Sequence, residues 1–238
     1  MYKTSHCGSK QQQRSCTAIS HTIACSRYIC KGVIRHTHPF RDESHNQLNA
    51  TGEVAKVYFT SGLGTHPCES YLVFDGKLVK NDDAAYADAD VITLTNNAMM
   101  QLFSNIKCQL LGQEIESLFH PGQATTMLGL LKFPDGFQKS TDLIQLWYKD
   151  NGTTAHLQNN QGFGFRQQYI VQKPDPKGTF SLRVSLKHIV GFCDDYEKIV
   201  YGFKHQLSLI RKGDNDVIFR NNVADAGKVV LTKLSWYC

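Results

Sequence analysis

Two histidines and a carboxylate stand at a spacing that can hold a metal ion. The segment His36-Thr37-His38-Pro39-Phe40-Arg41-Asp42-Glu43 reads His-x-His-x4-Glu. Alternate residues of a strand project to the same face, so His36 and His38 could share one cation with Glu43 completing the set. Pro39 works against this, because it removes a ladder hydrogen bond and ends a strand directly after the pair. Cysteine and histidine crowd the same region. Cys7, Cys16, Cys25 and Cys30 are half of the eight cysteines, and His6, His21, His36, His38 and His45 are half of the ten histidines. A structural zinc site wants two close pairs of ligands. Only Cys25-x4-Cys30 approaches that spacing, and His36 and His38 are too tight to supply the second pair.

Other candidates are weaker. Asp82-Asp83, Asp88/Asp90 and Asp194-Asp195 are carboxylate pairs set in polar stretches. General acid–base work needs two carboxyls facing each other across a cleft, whereas neighbouring loop aspartates point to solvent. Gly162-Phe163-Gly164-Phe165-Arg166 lacks the spacing of a phosphate loop and reads as a strand in close backbone contact. Cys68, Cys108, Cys193 and Cys238 stand alone and read as buried small hydrophobes, not a disulfide framework. No Gly-x-Ser-x-Gly, His-Glu-x-x-His or Cys-x-x-Cys occurs. The sequence therefore assigns no catalytic, cofactor-binding or metal-ligating residue, implies no cofactor, and reads as a protein that is not an enzyme.

The chain has 238 residues, 41% hydrophobic and 20% charged, which suffices for one domain with a sizeable core. No apolar run approaches the roughly 18 residues of a spanning helix, and the first thirty residues lack the apolar core of a secretory signal. The expectation is a soluble intracellular chain with no membrane partner, unglycosylated at the sequons of Asn49 and Asn151. The formal charge of +5 sits at the head. Residues 1–50 carry seven of the 26 basic side chains (Lys3, Lys10, Arg14, Arg27, Lys31, Arg35, Arg41) and two of the 21 acidic ones, leaving 19 of each beyond. A neutral body lacks the basic face of a dedicated nucleic-acid-binding domain; the basic arm could touch nucleic acid weakly.

Residues 1–50 show neither helical nor strand periodicity and read as an irregular, poorly ordered, basic Cys/His-rich extension. From Val54 the character changes. Val54-Ala55-Lys56-Val57-Tyr58-Phe59 has strand bias, closed by Ser61-Gly62-Leu63-Gly64. Tyr71-Leu72-Val73-Phe74 and Lys77-Leu78-Val79-Lys80 flank Asp75-Gly76, which predicts a tight hairpin turn. Residues 180–187 alternate strictly, apolar at even positions, and Tyr201, Phe203, His205, Leu207 and Leu209 repeat the pattern. Residues 106–110 and 228–236 add two more strands. Short helices are expected over 124–132, with Met127, Leu128 and Leu131 inward, and over 186–192. Turns fall at Asp150-Asn151-Gly152 and Lys212-Gly213-Asp214-Asn215. Six to eight strands without strand–helix alternation give a mainly β protein, an antiparallel jelly-roll sandwich with one or two short helices.

Several longer segments carry a resemblance. They are Leu94-Thr95-Asn96-Asn97 running into Leu102-Phe103-Ser104; Trp147-Tyr148-Lys149-Asp150; Gly178-Thr179-Phe180-Ser181; Leu186-Lys187-His188-Ile189-Val190-Gly191-Phe192-Cys193-Asp194-Asp195-Tyr196; Val200-Tyr201-Gly202-Phe203-Lys204-His205-Gln206-Leu207; and Ile210-Arg211-Lys212-Gly213. Over about residues 70–238 the chain resembles the double jelly-roll major capsid proteins of Polinton/Maverick elements and adintovirus-like viruses. The resemblance implies a structural shell protein, in which two jelly rolls of one chain form a pseudo-hexagonal trimer that tiles a capsid around double-stranded DNA. The implied partner is therefore another copy of the chain, the implied location a virion capsid, and loops 118–139 and 151–162 are expected to be inter-subunit or outer elements.

Trp236-Tyr237-Cys238 falls about where the first roll of that family hands over to the second, so residues 51–238 are expected to be the N-terminal half of a double jelly roll. A truncated or genome-integrated copy is the corresponding expectation, and a lone roll would expose the face its partner covers. Two other classes stand beside this reading. One is a host-retained jelly-roll module binding protein or carbohydrate, and the other a cupin-like metalloenzyme built on His36 and His38.

Overall fold

The computed structural model describes residues 49–59, 64–133, 145–151, 160–220 and 226–238. Strand β1 (Val54–Phe59) pairs antiparallel with β9 (His205–Arg211), from Val54 opposite Ile210 to Phe59 opposite His205. Strand β2 (Gly64–Thr65) pairs with β8 (Val200–Tyr201), and β3 (Tyr71–Lys80) with β7 (Thr179–Ser185), Tyr71 lying opposite Ser185. These pairings nest. Strands β1, β2 and β3 run in turn beside β9, β8 and β7 as one antiparallel ribbon, which starts in a four-stranded sheet and ends in a three-stranded one. A ribbon folded over so that its ends lie in two different sheets is a jelly roll.

The four-stranded sheet has the order β1-β9-β5-β6, with β5 (Phe103–Leu110) and β6 (Gln113–Phe119) joined as a hairpin. The three-stranded sheet has the order β11-β3-β7, with β11 (Gly227–Tyr237) outermost. A separate pair joins β4 (Ile92–Leu94) to β10 (Ile218–Arg220). Every strand pairing among the described residues is antiparallel, and the protein is mainly β.

Alternation explains which residues fill the space between the sheets. Phe180, Leu182 and Val184 of β7 are buried, lying opposite Gly76, Phe74 and Leu72 of β3. The other sheet contributes Val57, Ile106, Leu207 and Leu209 to the same core. Phe74 of β3 and Phe103 of β5 touch across the sandwich with ring centres 5.9 Å apart, as do His205 of β9 and Trp236 of β11 at 6.1 Å. On β11 the inward residues are Val229 and Leu231, then Leu234 and Trp236. The phase slips because the register jumps between Leu231 and Lys233, leaving Thr232 as an extra residue. A bulge of this kind restores the apolar face on both sides of itself.

The structure corrects the expected hairpin at Asp75-Gly76. Both residues lie inside the uninterrupted ten-residue strand β3. Gly76 sits opposite the bulge, where an added Cβ would lie 2.6 Å from the Val230 carbonyl oxygen and 2.7 Å from the Phe180 ring. The glycine is there for close backbone approach, not for a turn. The 201–209 alternation holds only in its second half, since Tyr201 and Phe203 are exposed while His205, Leu207 and Leu209 are buried.

Four α-helices occur among the described residues: α1 (Ala98–Gln101), α2 (Pro121–Lys132), α3 (Gln161–Ile170) and α4 (Gly191–Asp195). The 3₁₀ turn Leu186–His188 and α4 fulfil the helix expected near 186–192. Gly162 to Arg166 open α3 and do not form a strand. Asn160 caps that helix, its side-chain oxygen accepting from the Phe163 N–H at 3.1 Å. Close backbone approach survives in a different setting, because a Cβ on Gly162 would collide with the Lys149 carbonyl. Helix α2 is present but rotated relative to expectation. Pro121, Gly122, Thr125 and Gly129 face inward, and Met127, Leu128 and Leu131 face out. Residues 1–48 of the expected extension, with His36, His38, Glu43, Cys25, Cys30 and the basic side chains, lie outside the described residues, as do residues 134–139 and 152–159 of the expected contact loops.

Candidate assembly surface

The carboxylate pairs separate into surface ion pairs and turn caps. Asp83 faces Lys228 at 2.9 Å, Asp88 faces Lys177 at 3.0 Å, Asp90 faces Lys80 at 3.3 Å and Asp194 faces Lys132 at 2.7 Å. The Asp82 carboxylate accepts from the Ala84 N–H, and Asp90 from the Ala87 N–H. The Lys132 contact holds the Asp194 carboxyl below its ordinary range. None of these pairs has its two carboxyls aimed at a common point in a cleft, and exposed pairs of this kind contribute little to stability. Among the described residues, no group of three or more His, Cys, Asp or Glu side chains is placed to hold a metal ion. No helix among them is long and apolar enough to cross a membrane.

The most elaborate polar arrangement is architectural. Arg166 of α3 is completely buried. Its Nε donates to the Leu94 carbonyl at 2.9 Å, one terminal nitrogen to the Tyr148 carbonyl, and the other to the Asp150 carboxylate at 2.5 Å. Asn160 adds a donor to the same Asp150 oxygen at 2.9 Å. Burial pulls the guanidinium below its ordinary value while Asp150 opposes that shift. The Trp147-Tyr148-Lys149-Asp150 segment is thereby tied to α3 and β4, which accounts for its aspartate and for Arg166 without any catalysis. Arg211 does similar work between the sheets. Placed at the end of β9, it donates to Asp214 at 2.5 Å and to the Val229 carbonyl of β11 at 2.9 Å.

Of the four cysteines isolated in sequence, Cys108, Cys193 and Cys238 are buried and Cys68 is partly exposed, and none is in a disulfide. Burial, with Glu116 nearby, pushes the Cys108 thiol up to about 12. Burial raises Cys193 further, reinforced by Cys108 and Cys238. Such thiols stay protonated and are poor nucleophiles.

A cleft of about 100 Å³ opens between α2 and the turn into α4, lined by Leu128, Phe133, Ile189 and Val190 with Lys132, His188 and Asp194. His188 packs against the Phe133 ring, 4.9 Å between centres. Burial, then Lys187, lowers its pKa to about 4, so it is neutral at pH 7. The one hydroxyl lining the cleft, Thr125, already donates to the Pro121 carbonyl at 2.6 Å.

The surface offers contact area instead. On α2, Leu131 is 85% exposed and Met127 61%. A second apolar group comprises Ile199, Tyr201 (71% exposed) and Phe203, and Phe119 at the end of β6 is exposed as well. Sequence reasoning missed the α2 face because it placed the large residues inward. The available signal was Pro121, Thr125 and Gly129 at four-residue spacing, a seam of small residues. Asn97 donates to the Thr125 hydroxyl at 2.6 Å, and a Cβ on Gly129 would collide with Trp147. The small seam lets α2 lie close to the body and leaves its large side chains outward.

Residues 151–238 match the family model of the double jelly roll-like domain. No curated protein matches the chain. The matched stretch contains β7 to β11, and every one of these strands pairs with a strand from residues 54–110. It thus supplies one half of the sandwich, completed by the chain before it. Inside the match lie the segments starting at Gly178, Leu186, Val200 and Ile210. The Leu94 and Trp147 segments lie ahead of it, tied to it through Arg166. A double jelly roll-like domain is consistent with a viral capsid-like structural role.

Proposed function

We propose that this chain is a capsid-type structural protein of the Polinton/adintovirus kind that acts by self-assembly and not by catalysis. In this reading residues 51–238 are the N-terminal roll of a double jelly roll, and residues 1–50 are a separate basic extension able to touch nucleic acid weakly. The observation that carries it is the match over residues 151–238, whose strands close only on β1 to β5. That pairing argues for extending the likeness to the whole sandwich. Large apolar side chains at the surface support the same reading, since an assembling protein needs faces that gain from being covered. The partner is another copy of the chain, arranged in trimeric capsomers. Electron microscopy of the concentrated full chain tests this. Threefold particles or shells are the expected result, and a field of uniform monomers would count against it.

A further inference from the structure

We infer that the outer face of α2 is a two-fold contact between copies of this chain, an inference that rests on the self-assembly reading above and names one of its surfaces. Met127, Leu128, Leu130 and Leu131 project from one side of the helix, at 61, 48, 49 and 85% exposure. At 100° per residue these four cover an arc of about 160°, its centre turned about 140° from that of the buried seam of Pro121, Thr125 and Gly129. Ordinary surface helices are built the other way round, large apolar residues inward and polar ones outward. Here the small residues and the threonines are turned to the body, while Gln123 is exposed among the apolar side chains. Thr125 and Thr126 donate to the Pro121 and Gly122 carbonyls, both at 2.6 Å, and Asn97 donates to both hydroxyls.

Charge and area select the occupant. Lys132 is the sole ionisable side chain of the helix, and Asp194 holds it at 2.7 Å. A face without net charge offers nothing to nucleic acid or an anionic membrane. It suits a two-fold contact, in which each residue group meets its own copy and like charges would oppose each other. The four side chains present on the order of 500 Å² of mostly apolar surface, so a face-to-face pair covers about 1,000 Å², at the lower limit for a specific contact. The association is therefore weak, about micromolar or weaker, and follows protein concentration. A two-fold contact closes after two copies, so it joins chains or capsomers in pairs and leaves other faces for growth.

The test is sedimentation velocity of the full chain from about 1 to 200 μM, beside Leu131→Glu and Met127→Glu. Both positions are mostly exposed, so the variants should keep the far-UV spectrum and thermal midpoint of the parent, which is checked first. The expected result is a concentration-dependent rise in mass for the parent and its loss in both variants, down to the smaller species. Association that persists unchanged in both variants overturns the α2 contact and leaves self-assembly standing. A parent that stays monomeric throughout overturns both. If the parent forms polydisperse aggregate, conversion to a defined species by either variant supports the contact, and no change refutes it.

Discussion

Replacing Asp150 by alanine should destabilise the protein by about 3 kcal/mol. The carboxylate faces a guanidinium with no solvent exposure, and its own side chain is 30% exposed. Removing one partner of a buried pair costs about 3–5 kcal/mol, because a charge is left without compensation. Two factors reduce that figure here. The carbonyls of Leu94 and Tyr148 still accept from Arg166, and water can reach the position Asp150 vacates. These bring the charge contribution to about 2 kcal/mol, and the lost acceptor of Asn160 adds about 1. Arg166→Ala should cost more, about 4 kcal/mol, since it leaves a cavity and strips both carbonyls of their donor. Urea unfolding measures these values, with a lower midpoint and unchanged slope. At about 2–4 °C per kcal/mol, Asp150→Ala should lower the thermal midpoint by roughly 6–12 °C. The double variant should fall well short of the sum of the singles, because the two share one interaction. A cost below about 0.5 kcal/mol for Asp150→Ala, or strict additivity, would refute the architectural role given to this pair.

Two further outcomes follow from local geometry. Gly76→Ala should cost about 2 kcal/mol in the same unfolding assay, because its Cβ meets the Val230 carbonyl inside a sheet ladder. Gly213→Ala, whose Cβ would have nothing within 4 Å, should stay within about 0.5 kcal/mol of the parent. His188, with a folded pKa near 4 against 6.5 when free, binds its proton more readily in the unfolded chain. Stability should therefore fall as pH drops from about 6.5 to 4, and His188→Gln should flatten that limb when thermal midpoints are taken across pH. An unchanged slope in the variant would assign the acid limb to other groups, Asp194 among them, whose contribution is lost as pH falls through the ordinary carboxylate range toward its lowered folded pKa.

What could be read from the sequence was local. Residues 180–184 announce a strand because one face is buried and the other wet, and two-residue periodicity records that directly, whereas residues 228–236 show it only through their β-rich composition. The nested pairing of β1 with β9 and β3 with β7 joins residues more than a hundred positions apart, and no spacing within either segment encodes it. Asp75-Gly76 misled because the dipeptide that favours a tight turn also suits a strand facing a bulge. Which of the two occurs depends on Thr232, far along the chain. The α2 face was missed for a related reason. Leucine was assigned to the core by type, whereas Gly129 under Trp147 and Thr125 against Asn97 fix which side of the helix is inside. Arg166 could not be paired with Asp150 from sequence, since only the helical start at Gln161 turns it inward.

The claim that this chain works by assembling with itself is tested most directly by its molar mass in solution, measured by light scattering on the full chain across a wide concentration range. A trimer or a larger closed species is predicted, stable at the upper concentrations and unaffected by added metal. A monodisperse monomer at every concentration would contradict the account.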